Sequence, residues 1–251
     1  MSTLFVVGTP IGNLNDISQR AQETLKLVDY ILCEDTRVSQ KMLTRFGIKK
    51  PMISYHQHSK LDKVDYILGL LCGGKNLALI SDAGTPGISD PGNKLVDAIV
   101  NQYVISERPH KNYTSEELEK AEDEIEIIPI PGPSAITAIA SVCGFPMDRF
   151  IFLGFPPIKK KRKQFFEEVL NSKYPVIFFE SPYRILKTLN ELWGTVPLKN
   201  EGGLSPQELQ VVVGRELTKK FETIYRGSIT EIIEAIKKSP IKGEFVVVVS
   251  K

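Results

Sequence analysis

The chain has 251 residues, 42% of them hydrophobic and 25% charged, an ordinary balance for a soluble globular protein able to bury a sizeable core as one large or two small domains. A net charge of only +2 excludes nucleic-acid binding through a global field, so any such partner must be met by a local patch. The three cysteines (Cys33, Cys72, Cys143) are scattered, which argues against a disulfide framework or a four-cysteine zinc site and fits a reducing cytoplasm.

Met1-Ser2-Thr3-Leu4 runs straight into a strand-like segment, Leu4 to Val7, so neither a signal peptide nor a membrane span is expected. Gly8-Thr9-Pro10-Ile11-Gly12-Asn13 then turns. Ile17, Ala21, Leu25 and Val28 have helical spacing, with Asp16 placed to cap the helix. Tyr30 to Cys33 reads as a short strand ending in Glu34-Asp35-Thr36-Arg37, and Val38 to Phe46 as a helix stopped by Gly47. A helix from Asp62 to Cys72 ends at Gly73-Gly74, and the apolar run Leu77 to Ile80 reads as a buried strand. After it comes a dense cluster of turn formers, Ser81-Asp82-Ala83-Gly84-Thr85-Pro86-Gly87-Ile88-Ser89-Asp90-Pro91-Gly92. Lys94 to Val100 begins a helix, and Ile125 to Ile130 is a strand that Pro129 should break. Between them, Glu107 to Glu124 is highly charged, with a capping-box pattern at Thr114-Ser115-Glu116-Glu117, and reads as a surface insertion.

Pro131-Gly132-Pro133-Ser134 leads into an apolar helix, Ala135 to Val142. Strands follow at Phe150 to Gly154, Val176 to Glu180, Gln210 to Gly214 and Phe245 to Val249. The alternation in the first half predicts a mostly parallel sheet with helices on its faces, and the chain divides into an α/β domain over 1–131 and a second over 132–251.

Six strands end in unusual polar or Gly/Pro loops: those at Gly8, Glu34, Ser81, Pro131, Glu180-Ser181-Pro182-Tyr183-Arg184 and Gly214-Arg215-Glu216-Leu217-Thr218-Lys219. A parallel sheet brings all carboxyl ends to one edge, so these loops are expected around one cleft. No Gly-x-Gly-x-x-Gly follows the first strand and no P-loop is present, which leaves a nicotinamide or nucleoside-triphosphate domain unsupported. His56-Gln57-His58 lacks a carboxylate or cysteine at ligand spacing, so no metal is expected.

In the same order, Gly8-Thr9-Pro10-Ile11-Gly12-Asn13-Leu14, Cys33-Glu34-Asp35-Thr36-Arg37, the 81–92 loop, Pro131-Gly132-Pro133-Ser134-Ala135, Glu180-Ser181-Pro182-Tyr183-Arg184 and Arg215-Glu216-Leu217-Thr218-Lys219 resemble one branch of the tetrapyrrole methylase superfamily. That branch is the small-subunit ribosomal RNA 2′-O-ribose methyltransferases. The resemblance covers nearly the whole chain apart from the charged insertion. It implies two α/β domains with a cofactor cleft between them, S-adenosylmethionine as methyl donor, a cytidine ribose 2′-hydroxyl of 16S RNA as acceptor and a cytoplasmic homodimer. Naked RNA and the assembled subunit both remain open as the substrate.

The resemblance also distributes roles. Thr9, Pro10, Asp82, Gly84, Thr85, Gly87, Ile88, Ser134, Ala135 and Gly243 are expected at the cofactor, with Gly84 and Gly87 permitting close backbone contact. Methyl transfer from a sulfonium needs mainly positioning. A ribose hydroxyl needs its proton removed or its developing charge stabilised. Glu34, Asp35 and Glu216 are the carboxylates considered for that base, and Arg37, Arg215 and Lys219 the cations for phosphate or oxyanion. Glu216 with Lys219 is the preferred pair, sharing a face if the segment is helical; Arg215 and Asp35 complete the catalytic candidates. RNA contacts are expected from Arg37, Lys159, Lys160, Lys161, Arg162, Lys163, Tyr183 and Arg184, with Tyr183, His56 and Phe155 available for stacking. A small-substrate methylase and a non-catalytic binding module are the rival readings.

Overall fold

The computed structural model describes residues 2–56, 59, 61–90, 92–103, 125–196 and 209–251. The chain forms two compact units, 1–134 and 135–251. The charged stretch 107–124 and its capping-box pattern lie outside the described residues.

In the first unit five strands are all parallel: β1 (Ser2–Val7), β2 (Tyr30–Cys33), β3 (Met52–Ser54), β4 (Leu77–Leu79) and β5 (Ile125–Ile130), in the order β3-β2-β4-β1-β5. Helices α1 (Gln19–Leu27) and α2 (Thr36–Arg45) follow β1 and β2, while α3 (Leu61–Cys72) and α4 (Asn93–Tyr103) follow β3 and β4. The chain steps from β1 outward to β3 and then reverses across the sheet to β5. Right-handed crossovers turn that reversal into a change of face. Two apolar clusters record it. Ala21, Leu25 and Leu43 pack with Ile31, Cys33 and Ala78, whereas Val64, Ile67, Leu95 and Ile99 pack with Leu32, Leu77 and Leu79. Successive strand residues thus serve opposite faces, and strands covered on both faces are apolar throughout.

Two expectations need correction here. The cap of α1 is Ser18, whose hydroxyl accepts from the Ala21 amide at 3.1 Å; Asp16 sits in a short 3₁₀ turn, Leu14–Asp16, that precedes it. Pro129 does not break β5. Ile130 accepts from the Gly8 amide at 3.0 Å, so its polar groups face β1, and by alternation the imide nitrogen of Pro129 faces the open edge of the sheet.

The second unit has β6 (Ile151–Phe152), β7 (Val176–Glu180), β8 (Gln210–Arg215), β9 (Thr223–Gly227) and β10 (Phe245–Ser250), in the order β6-β7-β10-β8-β9. Only β6 and β7 pair in parallel, so this sheet is mixed where the first is parallel throughout. The predicted strand 150–154 is reduced to β6, although Leu153 and Gly154 continue its hydrogen bonds to β7. Helices are α5 (Ala135–Val142), α6 (Arg162–Asn171), α7 (Ile185–Thr195) and α8 (Ile229–Lys237). Phe165, Phe166, Leu189, Leu192, Ile232 and Ile236 of the last three pack on Phe178, Val211, Val213 and Val247. Because β10 is antiparallel to both neighbours, β7 and β8 end at the edge where β10 begins: Phe245 pairs with both Glu180 and Arg215. That geometry assembles the 180–184, 215–219 and 243–244 segments.

The ends of β1 and β5 touch backbone to backbone. A Cβ on Gly132 would lie 2.6 Å from the Gly8 carbonyl oxygen, with no flexible side chain to yield. We expect Gly132→Ala to cost about 1–3 kcal/mol in urea denaturation, as overpacking does; wild-type stability in that variant would contradict the contact.

Candidate functional site

On the first sheet the chain reverses direction between β1 and β4, and such a switch point opens a crevice at the carboxyl edge. The loops after these strands are pinned together there. The Thr9 amide donates to the Gly84 carbonyl at 2.8 Å and the Gly84 amide to the Thr9 carbonyl at 3.2 Å. Thr9 is buried, and its hydroxyl is within reach of the Ser81 and Gly84 carbonyls at 3.3 and 3.2 Å. Gly84 and Gly87 adopt left-handed backbone, with φ of 83° and 85°. The loop itself already explains Gly87, where a Cβ would meet the Asn93 side-chain oxygen at 2.6 Å while that carboxamide donates to the Gly87 carbonyl at 3.0 Å. Pro10 is buried, Thr85 half-buried, and Ile88 and Asp82 are exposed. Ser134 closes this unit, and Pro91 lies outside the described residues.

Asp82 accepts from the Asp35 amide at 3.2 Å, joining the loop after β4 to the one after β2. Asp35 caps α2, and both of its oxygens engage Arg37, at 3.1 and 2.7 Å. That hydrogen bonding, followed by the Arg37 amide, holds the Asp35 carboxyl down to about 2. A carboxylate so held is a weak proton acceptor. Its neighbour Glu34 is shifted the other way: burial raises it and Asp82 adds to the rise, against the attraction of His56. Arg37 remains exposed at the rim.

The second unit holds a cluster of its own. Lys219 Nζ lies 2.9 Å from Glu216 Oε1 and 2.9 Å from Glu244 Oε2. The segment is a tight turn rather than a helix: Glu216 and Thr218 have φ of 51° and 68°, and the Lys219 amide donates to the Glu216 carbonyl at 3.0 Å. The pair therefore meets through the turn, not through helical spacing. The Glu216 carboxylate also accepts from the Glu244 amide at 3.0 Å and lies over Gly243, where a Cβ would come within 2.3 Å of it. Burial is the largest influence on Glu216 and raises its carboxyl; Lys219, the Glu244 amide and Arg215 outweigh it and leave the group lowered. Burial likewise pulls the Lys219 ammonium down most strongly, but Glu216 and Glu244 together raise it. The arrangement is thus a fixed cation between two carboxylates. Arg215 is not free to join it: its guanidinium donates to the Lys242 carbonyl, the Ser239 hydroxyl and the Pro240 carbonyl at 3.0, 3.1 and 2.7 Å. It holds the turn that presents Gly243 and Glu244.

Of the basic run, Lys159, Lys160, Lys161 and Lys163 are exposed, but Arg162 is buried. Its nitrogens bind Glu191, the Pro157 carbonyl and Thr188, so it is unavailable to phosphate. Arg184 is similarly committed to Ser181, the Pro156 carbonyl and Glu180. Both leave the set of RNA candidates for this physical reason. Tyr183, by contrast, is 95% exposed, and Phe155 stands half out of the surface against Phe179 at 5.4 Å. Ala135 opens α5. Of the two histidines of the 56–58 segment, His58 lies outside the described residues; no group of metal-binding side chains occurs among the described residues.

Sequence reasoning missed Glu244 as a partner of Lys219, along with the buried Thr188 and the half-buried Glu191. Backbone strain marks the same loops. The non-glycine residues with left-handed backbone among the described residues are Ser89, Lys161, Glu216 and Thr218, each in a loop already singled out. Such conformations persist where surrounding structure enforces them and concentrate at functional segments.

The sequence matches the family described as Tetrapyrrole (Corrin/Porphyrin) Methylases over residues 3–105 and 112–233. A Thermotoga maritima protein named Ribosomal RNA small subunit methyltransferase I is 38% identical over 250 residues, covering 100% of this chain and 99% of the relative. A Synechocystis sp. protein of the same name is 39% identical over 251 residues, covering 100% of this chain and 79% of the relative. Among solved structures, a cobalt precorrin-4 methyltransferase superposes with a TM-score of 0.59 at 18% identity, covering 99% of this chain and 94% of that one. A uroporphyrin-III-C-methyltransferase from Thermus thermophilus gives 0.59 at 14% identity, covering 98% and 93%. At these identities the two structures establish the fold.

The triad predicts a titration. In Lys219→Met the burial of Glu216 keeps raising its carboxyl while one lowering partner is gone, so the carboxyl should rise from its lowered position when followed by carboxyl NMR. In the native protein the lowered Glu216 contributes stability that is present above 4.5 and lost as pH falls through its folded value; the variant should show a smaller acid loss in urea titrations. An unmoved Glu216 would contradict the coupling.

Proposed function

The chain belongs to the tetrapyrrole (corrin/porphyrin) methylase family, and from that premise we propose that it transfers a methyl group from S-adenosylmethionine to a cytidine ribose 2′-hydroxyl of small-subunit (16S) ribosomal RNA. The full-length likeness to proteins named Ribosomal RNA small subunit methyltransferase I carries this reading.

The first-unit edge fits the methyl donor. Asp82 offers an exposed carboxylate to an ammonium or to ribose hydroxyls, and Thr85 a half-buried hydroxyl. Ile88, 42% exposed, offers apolar surface to a purine, and Thr9, Pro10, Gly84 and Gly87 form the backbone around them. When bound, the cofactor supplies an electrophilic methyl group on a sulfonium. The residues around it need only bind and orient.

Toward RNA, the exposed Lys159, Lys160, Lys161 and Lys163 meet phosphates, and Tyr183 offers an open aromatic face for a base. Lys219 is the cation that stabilises charge developing on the ribose oxygen. Glu216 and Glu244 hold it in place; Glu216, lowered by that pairing, orients Lys219, and the hydroxyl proton leaves to solvent water as the methyl–oxygen bond forms and the sulfonium departs as a thioether. Arg37 at its exposed rim adds a further phosphate contact. The free cysteines support a reducing, cytoplasmic setting, and the family resemblance supports a homodimer, which sedimentation equilibrium tests.

Labelled S-adenosylmethionine offered to unmethylated small subunits, to free RNA and to a porphyrin precursor decides the reading. We expect label in a 2′-O-methylated cytidine; label only in the porphyrin overturns it. Lys219→Ala should lower turnover by about 10²-fold with cofactor affinity kept, the scale for losing one charge-stabilising group. Replacing Lys159, Lys160, Lys161 and Lys163 with Gln should flatten the logarithmic salt dependence of RNA binding by about 3, at roughly 0.7 per single-strand phosphate contact. An unchanged slope would remove this run from the interface.

A further inference from the structure

Glu180 ends β7 with a carboxylate that has no exposure at all, a placement that methyl transfer does not explain. Its Oε1 accepts from the Ser181 amide at 2.7 Å and lies 2.8 Å from Arg184 Nη2. Its Oε2 accepts from the Thr188 hydroxyl at 2.5 Å, and that hydroxyl in turn accepts from Arg162 Nη2 at 2.8 Å. Thr188 is fully buried on α7, and one hydroxyl serves both roles at once: its proton goes to Glu180 and a lone pair to Arg162. Each arginine then spends another N–H on the loop after β6. Arg184 Nη1 reaches the Pro156 carbonyl at 3.2 Å, and Arg162 Nη1 the Pro157 carbonyl at 2.7 Å. Prolines have no N–H, so a carbonyl is each residue's only backbone handle. Arg162 is further fixed by Glu191 and by the face of Phe166 at 5.3 Å. Directly beyond these anchored carbonyls stand the exposed Ile158, Lys159, Lys160 and the left-handed Lys161.

We infer that Glu180, Thr188, Arg162 and Arg184 form a buried positioning network that presets the 155–161 loop for the phosphate backbone of the RNA substrate. The inference rests on the ribosomal RNA reading above. Thr188 touches no substrate; it acts through the two arginines. A preset loop reduces the ordering cost of binding, so its loss falls on recognition of RNA, not on the chemical step.

The test compares Thr188→Val, which keeps the shape but removes the hydroxyl, with Thr188→Ser, which keeps the hydroxyl, both in the full chain. Brief native trypsin treatment reads cleavage after Lys159, Lys160 and Lys161 relative to cleavage after Arg226 within β9, where the pairing to β8 must open first. In T188V we expect that ratio and the KM for unmethylated small subunits each to rise about tenfold, with kcat and cofactor affinity within about twofold. T188S should behave as wild type. A T188V protein with the wild-type ratio, or with a raised ratio and an unchanged KM, overturns the inference, as does an equal loss in T188S. If the wild-type protein leaves small subunits unmethylated, the ribosomal RNA reading and the assigned purpose fall together, while the cleavage ratio still judges the network's hold on the loop.

Discussion

A reciprocal pair of backbone hydrogen bonds, Thr9 to Gly84 and back, holds the carboxyl edge of the first unit together. The sheet order forces the loops after β1 and β4 to diverge toward opposite faces, which by itself leaves a gap at their base. The pair closes that base, and the buried Thr9 hydroxyl adds contacts to Ser81 and Gly84. Everything above it, from Asp82 to Ile88, is then displayed on a fixed platform. Rigid display matters for a reaction whose electrophile comes already activated, since geometry is most of what the protein supplies.

Charge in this molecule divides into groups that build and groups that face outward. Arg162, Arg184 and Arg215 all satisfy carbonyls and side chains of their own unit. An arginine suits that task because its fork makes several directed bonds at once. The lysines of the 159–163 run face water instead, apart from a loose pairing of Lys163 with Glu167 at 3.7 Å. Lys219 belongs to neither class: partly buried, doubly paired, and set in a turn that only unusual backbone angles permit.

Much of this was legible in the residues. The apolar runs and their Gly/Pro terminators located the strands that carry the loops, and valine-rich β8 and β10 stood out for the same reason. What failed did so for identifiable causes. Pro129 reads as a breaker unless one knows that β5 lies at a sheet edge. Asp16 and Ser18 are both good caps, and the 3₁₀ turn that chose between them depends on Asn13. Short β3 and half-exposed β9 carry too few apolar residues to announce themselves. The basic run looked uniform, yet one of its members is buried, because burial of Arg162 is decided by Thr188 and Glu191 from a distant helix. Glu216 and Lys219 were paired correctly in distance but through the wrong local structure, since left-handed φ at non-glycine residues leaves no trace in composition.

The central position of β10 has a bearing on how the second unit comes into being. Both of its sheet neighbours precede it in the chain, and they have no hydrogen bonds to each other without it. During synthesis β7 and β8 must therefore wait, each with an unsatisfied edge, until the strand between them leaves the ribosome. Pairings between segments so far apart in sequence form slowly, and open strand edges invite wrong partners in the interval. The first unit repeats the pattern, since β4 enters between the earlier β1 and β2, but its sheet is complete before the second unit begins. A nascent chain arrested short of Phe245 would carry a finished parallel sheet followed by an unzipped mixed one.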